Sequence, residues 1–321
     1  MATDEQLGQL MVTDKKLGRL MVTDKMLGRL MVTDEKRPAD GHRREAGRLM
    51  VTTFALPRVV LGAERSLAGA FAVTWRNIAA MRHASYWWVV LSGFFEPLLY
   101  LLSIGIGVGQ LVGDFRLANG TVVSYAQFVA PAMIASSAMN GAMAETTMNF
   151  FAKMKYMKLY DATLATPVTP MQIALGELLW ALIRGALYSA AFLVVMCVMR
   201  LTTVGWALAA FPMTLLVGFG FGGLGMACAT FVRSWLDFDY VNVAQFALFL
   251  FSGTFAPAAG FPPVLRVLVE VTPLYHGVEL VRGFTIGSPH WSMLGHAAYL
   301  AALAAAGLWI ASRRMSKLLL K

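Results

Sequence analysis

Six long apolar stretches, at residues 86–113, 126–150, 173–199, 204–231, 240–255 and 294–311, constrain this chain more than any other feature. A helix that crosses a bilayer needs about 20 mostly apolar residues. In lipid the backbone must satisfy its own hydrogen bonds, which helices do within a single segment. With 58% hydrophobic and 14% charged residues and a mean hydropathy of +0.61, the composition is too apolar for an ordinary soluble domain. The expected fold is all-α: a polytopic membrane protein with six transmembrane helices.

Topology follows from the basic residues, because Lys- and Arg-rich loops stay in the cytoplasm. Lys153, Lys155, Lys158, Arg233, Arg313, Arg314, Lys317 and Lys321 fall on one side of the six stretches; Arg116, Arg200, Arg266 and Arg282 fall on the other. Both termini are therefore expected in the cytoplasm. No cleavable secretory signal is expected, since the first strongly apolar segment begins far from residue 1. Ahead of it, Leu67, Phe71, Val73, Trp75, Ile78 and Met81 alternate with Arg65, Arg76 and Arg82. That pattern suits an interfacial helix over 65–85 lying along the inner membrane surface, or a cytoplasmic extension of the first span.

Residues 1–60 are different. MATDEQLGQL is followed by near-copies beginning at Met11, Met21 and Met31. Ten residues leave a helical pattern about 80° short of whole turns, so the apolar positions drift around the cylinder and build no stable face. A disordered cytoplasmic leader is expected, set apart from a permease domain over 65–321; a lipid- or partner-binding tail is the functional alternative. The chain carries a net charge of +9, with 14 Lys/Arg against 9 Asp/Glu before residue 86. Without a nucleic-acid motif, this points to anionic headgroups of the lipid bilayer and to no nucleic acid.

Ionisable residues inside apolar stretches cost about 2.5–3.5 kcal/mol each unless paired or hydrated. Glu96, Glu145, Glu177 and Arg184 are the cases here. Glu96 and Arg184 both lie roughly 15 Å from the inner ends of their helices, at ~1.5 Å per residue, so they can pair. Arg184 can equally reach back to Glu145 or Glu177. Gly218 and Gly222, at i and i+4, offer a face for close helix approach.

The segment FFAKMKYMKLYDATLATPVTPMQ (150–172) stands apart from the other loops. Basic and aromatic residues alternate, a helical turn or two can open at Asp161, and Pro167 and Pro170 stop it before the next stretch. The sequence holds no Gly-Lys dipeptide and therefore no phosphate-binding loop of the G-x-x-x-x-G-K-[ST] kind. Energy for any transport must come from a partner or from an ion gradient.

KLYDATLATPVTPMQIALGELLWALIRGALYSAAF (158–192), the Glu96-Pro97 step and FSGTFAPAAGFPPVLRVLVEVTPLYHGVELVRG (251–283) together resemble the ABC-2 type export permeases. The likeness is to the NodJ-like branch, associated with lipo-oligosaccharide export and related to a branch exporting polyketide drugs. It covers about 65–321. It implies a permease in the bacterial plasma (inner) membrane that moves an amphipathic substrate outward. Its implied partners are a second permease copy, as homodimer or heterodimer, and an ABC ATPase subunit. No cofactor is expected on this chain, ATP and Mg being held by the ATPase. The resemblance makes the loop at 155–170 the coupling helix and assigns the ATPase contact to Lys158, Tyr160, Asp161, Thr163, Leu164, Thr166 and Pro167. Tyr160 and Leu164, at i and i+4, share a helical face and would form its apolar anchor.

Other chemistries find little support. Cys197 and Cys228 lie in apolar runs, and His276, His290 and His296 lack metal-ligand spacing, so no metal site is expected. Ser252-Gly253 lacks a nucleophile-elbow context. The chain is therefore not expected to be an enzyme. An ion-coupled secondary transporter, with Glu96 or Glu145 carrying protons, is the alternative function.

Overall fold

The structure is a computed structural model that describes residues 63–81, 95, 98–99, 101–116 and 120–319. The leader, Glu96, Pro97, and residues 86–94 and 100 of the first expected span lie outside the described residues. The first described helix is α1 (Ala63–Met81). The expected interfacial helix is thus helical through Met81, and 82–85 lie outside the described residues. A π-helical turn, Ser103–Val108, leads into the short α2 (Gly109–Val112).

A small antiparallel ribbon follows, β1 (Asp114–Arg116) against β2 (Val122–Ser124), with Phe115 opposite Val123. Apart from this ribbon the described elements are helical, in keeping with the all-α expectation. Gly113 and Gly120 take φ of 74° and 83°, left-handed conformations that glycine adopts without strain and that let the chain fold back.

α3 (Tyr125–Ala144) opens on a capping box between Ser124 and Gln127. It continues through π-helical segments at Glu145–Asn149 and Ala152–Tyr156. Next come α4 (Leu159–Leu164), α5 (Pro170–Val198), α6 (Val204–Ala229) and α7 (Asp237–Leu250). The chain ends in α8 (Pro263–Val271), α9 (Pro273–Thr285) and α10 (Met293–Leu319). Pro170 starts α5 rather than stopping α4: it sits at the first helical position, where no backbone donor is missed, behind a Thr169–Gln172 capping box.

Among the described residues, α5, α6 and α10 are long and apolar enough to cross a membrane. They match the third, fourth and sixth expected spans. α10 runs beyond the expected end at 311, because Arg313, Arg314 and Lys317 are good helix formers and cations suit a helix C-terminus. The second and fifth expected spans are not among these helices. α7 has 14 residues, and at ~1.5 Å per residue it falls well short of a bilayer core. The chain turns after it at Gly253, φ 71°, where the Ser252 and Thr254 hydroxyls bond each other at 2.7 Å.

α6 is the central helix, packed against α3, α5, α9 and α10. Its glycines permit this. A Cβ at Gly223 would lie 2.6 Å from the Ala304 carbonyl oxygen, and Gly307 of α10 meets the Gly223 backbone from the other side. Gly222 and Gly225 meet Leu178 and Thr146 in the same way. The closest seam therefore runs through Gly223 and Gly307, while Gly218 makes only an ordinary contact with Leu182 at 3.4 Å. Two apolar clusters result. One gathers Phe128, Met139, Phe192, Phe221 and Val278; the other gathers Phe150, Phe151, Tyr160, Ile173, Met226 and Phe238.

Candidate functional site

α4 projects from the second cluster. Lys158, immediately before it, holds φ 47° and ψ 30°, a left-handed conformation that turns the chain sharply out of its π-helical stem. The Thr163 hydroxyl donates to the Leu159 carbonyl at 2.8 Å and the Thr166 hydroxyl to the Thr163 carbonyl at 2.6 Å, which closes the end of α4 before Pro167. Lys158, Asp161, Thr166 and Pro167 are exposed. Thr163 and Leu164 are half-buried.

Tyr160 corrects the sequence expectation. Its side chain is 0% exposed, its ring lying 5.2 Å from that of Phe150, and Leu164 packs on the same cluster. The shared face of Tyr160 and Leu164 is an apolar anchor, but it holds α4 to its own protein. Spacing identified the face and could not tell which way it pointed, because a partner and the chain's own core are equally apolar.

Behind α4 lies a polar cluster centred on Glu177 of α5, 3% exposed. Lys153 Nζ donates to Oε2 at 2.6 Å, Asn77 Nδ2 to Oε2 at 3.0 Å, and Arg76 Nη2 to Oε1 at 2.9 Å. Lys153 also donates to Asn77 Oδ1 at 3.2 Å, and Arg76 Nη1 to the Thr163 hydroxyl at 3.2 Å. Glu177 thereby meets three other segments: α1, the π-helical stem and, through Arg76, α4. Its charge is paired, as a buried carboxylate requires, and two cations share it. The Tyr160 hydroxyl is buried beside it with no hydrogen-bond partner of good geometry. Burial first, and then the Glu177 charge, push this phenol well above its ordinary pKa, so it stays protonated.

α1 is fixed to α5 by more than charge. The Thr74 hydroxyl donates to the Gly176 carbonyl at 2.9 Å, and a Cβ on Gly176 would lie 2.6 Å from the Ala70 carbonyl oxygen. Arg76, Asn77 and Lys153 were not singled out as site residues from sequence. The available signal was the pairing need of Glu177, which sequence alone could not assign to partners 101 and 24 positions away.

Arg184 pairs with Glu145, one of the partners expected for it, and also donates to the Tyr188 hydroxyl at 3.1 Å. Asn149 donates to the same carboxylate at 2.9 Å. Glu145 sits in the first π-helical segment, where the widened turn brings it to α5. Glu96 lies outside the described residues.

At the opposite end of the bundle, α9 is inserted among α3, α6 and α10. Arg282, 4% exposed, donates to the Phe128 carbonyl at 3.3 Å, the Gly253 carbonyl at 2.9 Å and Glu279 at 2.6 Å, and stacks 4.0 Å from the Phe128 ring centre. The Nδ1 atoms of His276 and His296 approach to 2.6 Å. Among the described residues no three potential ligands gather into a metal site. A cavity of ≈ 460 Å³ lined by Met213, Leu280, Phe284, Trp291 and Leu294, among others, opens at this end, and its lining is almost wholly apolar.

The described residues form a bundle of apolar helices, a short exposed helix on a pinned support, and polar ties at both ends. Nodulation protein J of Rhizobium leguminosarum bv. trifolii is 33% identical to this chain over 219 residues, covering 68% of this chain and 81% of the relative. Nodulation protein J of Rhizobium meliloti (strain 1021) is 31% identical over 222 residues, covering 67% and 83%. That of Neorhizobium galegae is 29% identical over 243 residues, covering 74% and 87%. The ABC-2 type transporter family model matches residues 69–285, which takes in most of α1, the Glu177 cluster, α4 and the inserted α9. The chain belongs to the ABC-2 type transporter family, as a membrane-embedded transport component.

Proposed function

We propose that this chain is the permease subunit of an ATP-driven exporter in the bacterial inner membrane, with both termini cytoplasmic. A separate ATPase binds ATP and Mg, and a second permease copy completes the pathway. The substrate is amphipathic: a lipo-oligosaccharide, a lipid or a hydrophobic drug. The observation that carries this reading is α4, a short helix whose apolar side is anchored inward by Tyr160 and Leu164 while Asp161, Thr166 and Pro167 stand exposed. A driven protein needs such a part, stiff behind and open in front.

Lys158, Asp161, Thr163, Thr166 and Pro167 form the face for the ATPase, and Tyr160 and Leu164 support it from within. Of the two acids that the secondary-carrier alternative would use, Glu145 is paired with Arg184, and Glu96 lies outside the described residues. Co-purification provides the test. Wild-type chain brings down an ATPase carrying a phosphate loop, and Asp161→Arg, an exposed change that leaves folding intact, loses it. Uptake of a rhodamine dye into inverted vesicles should then require ATP; uptake by the chain alone, driven by a proton gradient, would overturn the reading.

A further inference from the structure

α1 has two faces with different work. Ala70, Val73, Thr74 and Asn77 are buried, while Leu67, Phe71 and Trp75, spaced i, i+4 and i+8, are 53%, 62% and 67% exposed. The buried face is locked to α5 by the close approach at Gly176. Its last polar residues, Arg76 and Asn77, reach Glu177, and Arg76 spans the remaining gap to Thr163 of α4. Lys153 brings the stem onto the same carboxylate.

We propose that Glu177 is a positioning residue that clasps α1, α4 and the head of α5 into one lever. Displacement of α4 is thereby delivered to α1 and its apolar stripe rather than being absorbed in the loop. The proposal rests on the permease reading and names the device by which that permease is worked. The geometry favours a clasp over a passive neutralisation. One cation would neutralise Glu177, yet it collects two cations and an amide, drawn from two separate segments of chain, and Arg76 uses its second nitrogen on α4. A buried carboxylate held by several side chains couples their positions, because moving one leaves charge unpaired for the others.

The test uses the full chain in complex with its ATPase, with Cys197 and Cys228 replaced by Ala. Spin labels go at the exposed Ala79 of α1 and Ala162 of α4, and in a second sample at Ala162 and the exposed Leu208 of α6. The lever predicts a narrow 79–162 distance that is the same with and without trapped ATP, while the 162–208 distance shifts. In Arg76→Gln the fold persists, because Lys153 and Asn77 still satisfy Glu177 and Arg76 is a third exposed. Its 79–162 distribution broadens, and α1 no longer follows α4 on ATP trapping. Thr163→Val gives the same change to a smaller degree.

A 79–162 distance that shifts with ATP in the wild type as much as 162–208 overturns the lever, as does a narrow, unchanged distribution in Arg76→Gln. Failure of the permease reading shows itself separately: no ATPase co-purifies. The clasp is then decided by the width of the 79–162 distribution alone, wild type against Arg76→Gln.

Discussion

The two ends of the bundle solve the same problem with opposite charges. At the α4 end the buried hub is an anion, Glu177, and its partners are side chains from α1 and the stem. At the α9 end the hub is a cation, Arg282, and two of its three acceptors are backbone carbonyls, of Phe128 and Gly253. Carbonyls move only when their helix or turn moves, so Arg282 pins α9 to α3 and to the turn after α7. Long side chains can follow a moving segment, so Glu177 can hold α1 and α4 while their place in the whole changes. One end is built as a fixture and the other as a joint.

Three substitutions test that contrast, in decreasing order of effect. Arg282→Ala removes a cation with a 5% exposed side chain and strands Glu279 and two carbonyls. It should cost about 4 kcal/mol, read as lowered resistance to denaturing detergent. Glu177→Ala should cost less, about 2 kcal/mol, because Lys153 and Arg76 are 18% and 32% exposed and can turn to water. Equal losses at the two sites would erase the distinction between fixture and joint. Tyr160→Phe keeps the ring against Phe150 and removes a hydroxyl without a well-placed acceptor. Its stability should change by no more than about 0.5 kcal/mol. A loss of several times that would mean that the phenol bonds Glu177 and belongs to the clasp.

The pH response sharpens the same point. Because its pKa is raised, the Tyr160 phenol stays protonated beyond the ordinary tyrosine range. The stability tied to its buried, neutral form is fully present below the unfolded value near 10 and is lost only as pH rises through the folded value. The tyrosinate absorbance of Tyr160→Phe should therefore match that of the wild type at pH 10. A difference at that pH would place the ring nearer to water than the structure does.

The long helices were legible because lipid-compatible composition leaves few alternatives: α5, α6 and α10 fall within a few residues of their expected starts. α4 was legible because Pro167 cannot continue it. The ties were not legible. Arg282 read as an outer-loop charge, although Leu274, Val278 and Val281 beside it already outline a buried helical face. The His276–His296 approach was equally hidden, since spacing in sequence says nothing about α9 lying against α10. Charge pairing across α1, the stem and α5 depends on which helices are neighbours, and hydropathy does not rank neighbours.

The stem above α4 is wound more loosely than the rest of α3. Each π-helical turn holds one residue more than an α-turn, and two such segments, at Glu145–Asn149 and Ala152–Tyr156, follow one another. If one of them tightened to α geometry, everything beyond it would rotate by about 100° and advance by about 1.5 Å. The rod that carries α4 therefore has slack wound into it, and Lys153 sits within that slack.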